Sequence, residues 1–521
     1  MTTLIVGAGS SGSALAARLT EDDGRDVILV EAGPADPDFA PDVRDASSIR
    51  GAMPGHPANW SFLGHLTPDL AYTVVRGRML GGSSAINGAY FVRARSGDHA
   101  RWAEAGGDRW SYDATLPMWR AMESDMDFPE SPTHGSTGPM PVQRPALGDL
   151  AAAFLRAARV RGHADEPDKN GEGVPGAGPV PSNIRDGQRV NTAMAYLPGA
   201  VRARPGLRIL DRTTVGRVIF DGIRAIGVET SRGEIRADEV VLSAGAIGSA
   251  RILLASGVGP AADLERLDIR VRADLPVGTA FSDHPDVSLS WRPDGPTIDP
   301  AERFAFPAAV NIDTGGHPDA DVEILLSVKP LGYLLTGTTR ILAGGLGAAL
   351  RHPLRTARAV TGISARRAAM QVAHRDDLPL IVGLQSPAGR GSLALQAPDP
   401  AAPPRIEYRY LADVDDRRRL RAGIREAAAL VRDMGGRLTE LSESDLDDDA
   451  LDAWMLSHLG TAIHMCGTAP MGPVVDGAGR VHGLAGLRVA DTSILPVVPT
   501  RGPAASAVLV GEVIARAMRE R

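Results

Sequence analysis

Three glycines and one carboxylate are the first residues in the chain whose types and spacing point to chemistry. Gly7, Gly9 and Gly12 follow an apolar run at 4–6, and Glu31 closes a second apolar run at 27–30. Strand, glycine turn, helix, strand, acid is the order a dinucleotide site requires. The first glycine makes the tight turn, the second admits backbone N–H groups to a pyrophosphate, and the third lets the helix pack on the strand. Ser10 and Ser11 open a helical pattern (Ala14, Leu15, Leu19) whose positive N-terminal end faces the phosphates. Glu31, followed by Ala32, is placed to bind both hydroxyls of an adenosine ribose, which favours FAD or NAD over NADP. The competing reading is a plain βαβ unit with a glycine-rich turn.

The elements that must hold such a site need a large chain. The 521 residues are enough for one discontinuous domain pair or two to three simple domains. A hydrophobic content of 43% and a charged content of 23% describe a soluble globular protein. The net charge of −7, with no long basic tract, argues against nucleic acid as a partner. A single cysteine, Cys466, rules out a disulfide within the chain and fits a reducing, cytoplasmic compartment. No signal peptide is expected before the first strand, and no apolar run reaches the ~18 residues of a membrane span.

A second glycine-rich stretch, RGRMLGGSSAINGAYFVRA at 76–94, brings backbone close to a flat ligand, because glycines remove side-chain bulk. It resembles the first signature of the glucose-methanol-choline (GMC) oxidoreductases. GAIGSARILLASGVG at 245–259 resembles the second, with Ala250 where the family usually has Pro or Ser. EAG at 31, DRWSYD at 108, DLPVGTAFSDHP at 274, HMCGTAPMG at 464 and LRVADTSILP at 487 follow the family's landmarks in order. The RGPA segment at 501–504 is similar to the mycofactocin-associated branch.

The resemblance implies an α/β fold with an FAD-binding Rossmann-like domain and a discontinuous substrate domain of antiparallel sheet plus helices. The FAD-binding parts are expected at 1–150, 205–285 and 456–521, and the substrate parts at 151–204 and 286–455. FAD is expected to be non-covalent, because Ile86 stands where some members carry the attaching histidine. The cofactor contacts carried over are Gly81, Gly82, Ser83, Asn87, Gly88 and Ala89, then Val215 at the adenine and Ser243 and Gly245 beside the pyrophosphate. Asp491 is expected near the ribityl chain, and Pro503 and Ala504 begin a final helix whose positive end faces the flavin. No metal is expected.

His464, in an H-x-x-G-T arrangement, matches the family's catalytic histidine, and imidazole suits removal of a hydroxyl proton near neutral pH. The second catalytic position, usually His or Asn, falls on Gly502. A donor worth ~2–4 kcal/mol at the transition state must then come from elsewhere. Arg501 is one replacement; the other is the Gly502 backbone N–H, with Arg501 turned to solvent. His458 is read as structural, Cys466 as a small buried thiol, and Trp102, Trp110 and Trp119 as packing residues.

Strands are expected at 207–210, 215–220, 225–228, 240–242, 287–291, 322–328, 378–384 and 391–395. Residues 34–70 read as a surface excursion with no specific role. Residues 324–375 hold eight Lys or Arg and no acid, interleaved with leucines, so 331–370 reads either as a basic amphipathic segment on an anionic membrane surface, at its inner face, or as a solvated helix pair covering the active-site entrance. The expected activity is FAD-dependent oxidation of an alcohol to a carbonyl, with electrons passed to a non-oxygen acceptor and a mycofactocinol as one substrate. The alternatives are an FAD-containing lyase of the hydroxynitrile-lyase type, an oxygen-using alcohol oxidase and a non-catalytic flavin-binding protein.

Overall fold

The computed structural model describes residues 1–21, 24–36, 39–294, 303–337 and 365–520. At its centre is a five-stranded parallel sheet in the order Leu207–Leu210, Asp26–Val30, Thr2–Val6, Glu239–Leu242, Leu487–Val489. The three central strands each carry a run of three or four Val, Ile and Leu residues because both faces of a parallel sheet are covered. Neighbouring strands come from the start, middle and end of the chain, so three distant segments build one sheet.

Helix Ser10–Leu19 leaves the first strand through the Gly7 turn, where φ is +102°. A Cβ on Gly12 would lie 1.9 Å from the Gly7 carbonyl oxygen, and one on Gly511 would lie 2.4 Å from that of Ser11. Those glycines let the first helix settle on its own strand and let the last helix, Ala504–Arg519, cross it closely.

A second, larger sheet runs Gly436–Leu438, Pro285–Pro293, Leu378–Leu384, Val322–Leu326, Ala308–Ile312, Ala177–Pro179, with antiparallel pairing throughout. Helix Val414–Asp433 lies on it, with Gly423 against Val322 and Val382. The short strand Gly460–Thr461 pairs with Pro285 and Asp286. That pairing carries the chain into His464 directly beside the 283–286 turn.

Residues 34–70 correct the sequence reading. They contain strand Asn59–Thr67, which forms a hairpin with Leu70–Gly77 and extends through Arg405–Glu407 to Ser392–Ala394. The run NWSFLGHLT has no clean apolar alternation, so period-two inspection passes over it. Trp102, Trp110 and Trp119 are fully buried, as packing residues.

Most of the basic segment, including Arg340, Arg351, Arg355 and Arg358, lies outside the described residues. Its first cation, Lys329, is buried and sits 5.3 Å from the Tyr333 ring, not on an outward face. Among the described residues, no helix is long and apolar enough to cross a membrane.

Candidate active site

One cavity of about 580 Å³ runs from the carboxyl edge of the parallel sheet to the face of the second sheet. Gly7, Gly9, Ser10, Ser11, Glu31, Ala32, Val215, Ser243 and Gly245 line one end. Gly82, Ser83, Asn87, Gly88, Asp491, Gly502, Pro503 and Ala504 line its middle, and His464 stands towards the other end with Tyr90, Asp286, Glu323 and Gln385. Gly12, Gly81, Ala89 and Arg501 are not among its lining residues. Gly12 packs helix on strand, Gly81 turns the chain at φ +92° against Asn191, and Ala89 packs with Ala46 and Ile184.

The glycine-rich end has the donor set a dinucleotide needs. No side chain caps helix Ser10–Leu19, so its first amides are open to an anion. Glu31 is buried, and burial raises its carboxyl. It accepts the Ala8 amide (3.0 Å) and the Gly33 amide (2.8 Å), which leaves a lone pair on each oxygen for ribose hydroxyls. Asp491 accepts the Gly245 amide (2.9 Å), the Ser249 hydroxyl (2.5 Å) and the Ser493 amide (2.9 Å), so it braces the 243–245 turn against the C-terminal segment. No side chain caps the last helix either.

His464 donates its backbone N–H to Asp283 Oδ1 (2.6 Å), which also accepts the His284 amide (2.8 Å). Burial, with His284 and Arg76 nearby, holds the His464 imidazole well below its usual value, so it is neutral in the free protein. Tyr90 donates its hydroxyl to Glu323 Oε2 (2.5 Å), and Asn311 Nδ2 reaches the same oxygen (3.2 Å).

Arg501 is fully buried, so the reading that turns it to solvent is corrected. Its Nη1 donates to the carbonyls of Thr500 (2.7 Å) and Asp319 (3.0 Å), behind the cavity wall. A Cβ on Gly502 would sit 3.3 Å from Tyr90 Cδ1 and 3.4 Å from His464 Cε1. The space a larger residue would use at 502 is thus bordered by the Tyr90 ring. His458 stacks on Trp454 at 4.1 Å, away from the cavity, and Cys466 is a buried thiol pushed well up by burial.

Sequence reasoning missed much of the cavity wall around His464. Tyr90 lies inside the first glycine-rich signature, yet Glu323, Asp286 and Gln385 sit on strands or loops with no motif. Ile49, Met53, Trp60 and Phe62, from the stretch read as an idle excursion, also line the cavity.

Residues 1–286 match the N-terminal GMC oxidoreductase family model and residues 387–511 match its C-terminal model. The chain belongs to the GMC oxidoreductase family. It is 37% identical over 530 residues to an uncharacterised GMC-type oxidoreductase of Rhodococcus erythropolis, covering 98% of this chain and 96% of that one. It is 34% identical to an oxygen-dependent choline dehydrogenase of Serratia proteamaculans, over 99% of this chain and 95% of that relative. Among solved structures, the pyridoxine 4-oxidase of Mesorbium loti superposes with a TM-score of 0.85 at 27% identity, over 100% of this chain and 99% of that one. This GMC oxidoreductase is therefore an FAD-dependent enzyme acting on CH–OH groups, and the open amides, Glu31 and the glycine cradle fit that cofactor. Position 86 is a buried isoleucine, which offers no attachment to a flavin.

The Asp283 carboxyl carries a pH prediction. Burial raises it to about 6, against the pull of Arg76 and the two amides. Its value in the folded protein exceeds that in the unfolded chain, so the folded state holds the proton more tightly between pH ~4 and ~6. Stability from this group is full below that window and falls as pH rises through it, by up to ~3 kcal/mol. Asp283→Asn keeps an oxygen for both amides and removes the titration. Urea unfolding at pH 4 and pH 7 should show the variant gaining on the wild type at the higher pH. A constant difference between the two proteins would contradict the assignment.

Proposed function

We propose that this enzyme oxidises an alcohol to a carbonyl, with His464 as the base that takes the hydroxyl proton. The observation that carries the reading is the single cavity joining the dinucleotide end to a neutral, buried imidazole. FAD, when bound, accepts a hydride from the alcohol carbon. The neighbouring Asp283 holds the base by its backbone amide and not by its ring. Gly502 and Ala504 line the same space and no side chain caps the last helix, which supports backbone N–H groups as the polar contacts where the family usually has a side chain.

The far end of the substrate meets Glu323. Its Oε2 is held by Tyr90 and Asn311, and Asn311 Oδ1 accepts from Lys169 (2.8 Å), which pairs with Glu166 (2.6 Å). Among the described residues Oε1 has no hydrogen-bond partner, and the side chain lines the cavity. This supports an alcohol bearing a second group that is cationic or donates hydrogen bonds. In a matched pair such as 3-aminopropan-1-ol and butan-1-ol, Glu323→Gln should lower kcat/KM for the amino alcohol by ~10-fold or more, a charge-assisted hydrogen bond being worth ~1.5–3 kcal/mol. Butan-1-ol should change little. Equal losses on both alcohols would remove Glu323 from recognition.

An electron acceptor other than oxygen, and a redox-cofactor alcohol of the mycofactocinol type as substrate, are the finer form of this reading. They are supported by the RGPA segment at 501–504 and by the glycine at 502. The decisive experiment mixes the flavin-loaded enzyme with alcohols without oxygen, then adds either oxygen or an artificial dye. Bleaching of the flavin band near about 450 nm followed by recovery with dye alone is the expected outcome. Turnover without bleaching would make the protein a lyase, and neither event would make it a binding protein.

A further inference from the structure

His284 stands directly behind His464. The two rings meet edge to face, with centroids 5.1 Å apart and planes at 85°. Their Nδ1 atoms are 3.0 Å apart, and His284 Nε2 lies 3.0 Å from the Pro499 carbonyl oxygen. A carbonyl only accepts, so His284 Nε2 must carry a proton. Burial pushes the His284 imidazole down to about 3, with Arg501 adding to the effect, so near neutral pH the ring holds that one proton. Its Nδ1 is then a bare acceptor. Two Nδ1 atoms at hydrogen-bond distance need one donor, and that donor is His464 Nδ1–H. The neutral His464 ring therefore has its lone pair on Nε2, which makes no hydrogen bond to any described residue while the side chain lines the cavity.

We propose that His284 is a positioning residue that selects the Nδ1-protonated tautomer of His464 and so keeps the Nε2 lone pair free for the substrate hydroxyl. The proposal rests on the reading of His464 as the base. In the step it serves, the alcohol O–H proton passes to His464 Nε2 and the carbon gives its hydride to FAD. The alcohol loses two electrons, the cofactor gains them, and His464 Nδ1–H stays with His284. The Pro499 contact does a second job. It ties the base, through His284, to the segment that runs into Gly502 and the last helix, so base and helix end keep one spacing. The charged groups that act on the pair are Asp283 and Arg76 at His464 and Arg501 at His284, and the Gln385 backbone carbonyl also faces His284.

Nitrogen-15 NMR of histidine-labelled, flavin-loaded enzyme reads the tautomer without turnover. The signals of His464, assigned by their loss in His464→Ala, should show a protonated Nδ1 and a bare Nε2. In His284→Ala the tautomers should mix, and flavin reduction should slow by ~10-fold or more, since loss of a tautomer-setting partner is costly in other histidine-based enzymes. The ionisation of His464 should also move up from its lowered position, because one of the groups that lower it has gone while burial and Arg76 remain. His284→Asn offers both an acceptor and a donor and should restore part of the rate. A protonated Nε2 in the wild type overturns the proposal, as does His284→Ala with unchanged tautomer and rate. If His284→Ala does not fold, the wild-type spectrum and His284→Asn still decide. Fast flavin reduction by His464→Ala alongside the expected tautomer would instead remove the base reading and leave the tautomer assignment standing.

Discussion

Replacing His464 with alanine slows flavin reduction by an alcohol by ~10²-fold or more while FAD stays bound, because general-base catalysis of a proton transfer is worth ~10²–10⁴. The ring is the part of His464 that borders the cavity, and the backbone amide is the part that holds the loop to Asp283 at 2.6 Å. Alanine removes the first and keeps the second. The glycine cradle, Glu31 and the open helix end lie towards the other end of the cavity, so cofactor content should match the wild type. His464→Gln is the sharper control, since it can still donate and accept hydrogen bonds yet has no basic nitrogen. Anaerobic stopped-flow at a saturating alcohol concentration measures the effect. Reduction at the wild-type rate in either variant would take the proton step away from this residue.

Gly82→Ala produces protein with little or no flavin. A Cβ at Gly82 would lie 2.7 Å from Gly9 Cα. The neighbour is backbone of the dinucleotide turn, so no flexible side chain can yield. Both residues line the cavity where the first helix presents its amides. Relief requires the 76–88 stretch and the first turn to separate, which opens the cradle. The expected loss in FAD affinity is ~10²-fold or more, with ~1–3 kcal/mol off the stability, the usual scale for overpacking. Gly82 also has φ +53°, which alone costs an alanine ~1–2 kcal/mol. Gly222 has a similar φ, +57°, with nothing within 4 Å of a built Cβ. Gly222→Ala therefore isolates the conformational cost, and flavin content should fall only in Gly82→Ala. Equal flavin occupancy in the two purified proteins would show that the close approach does not matter.

Local order along the chain was enough for the nucleotide end of this enzyme. Gly7, Gly9, Gly12 and Glu31 lie within one βαβ unit, where geometry depends on neighbours in sequence. The same holds for the strands at 240–242, 322–326 and 378–384, which are mostly apolar, with Glu323 as the one acid among them. His464 was legible for a different reason, since its H-x-x-G-T setting resembles a known pattern and no periodicity of its own marked it.

Tertiary structure alone decided the rest of the site. Glu323 is one acid in a strand of buried residues, and its meaning appears only when antiparallel pairing sets that strand beside Tyr90, 233 positions away. His284 acquires a partner 180 positions later because Gly460–Thr461 pairs with Pro285 and Asp286. Arg501 was readable as a charge, but its direction depended on the carbonyls of Thr500 and Asp319 lying behind the wall. The physical reason is common to all three. A turn or cap is made by residues a few positions apart, whereas a catalytic wall forms between segments whose adjacency is set by sheet register, and register depends on the packing of the whole domain.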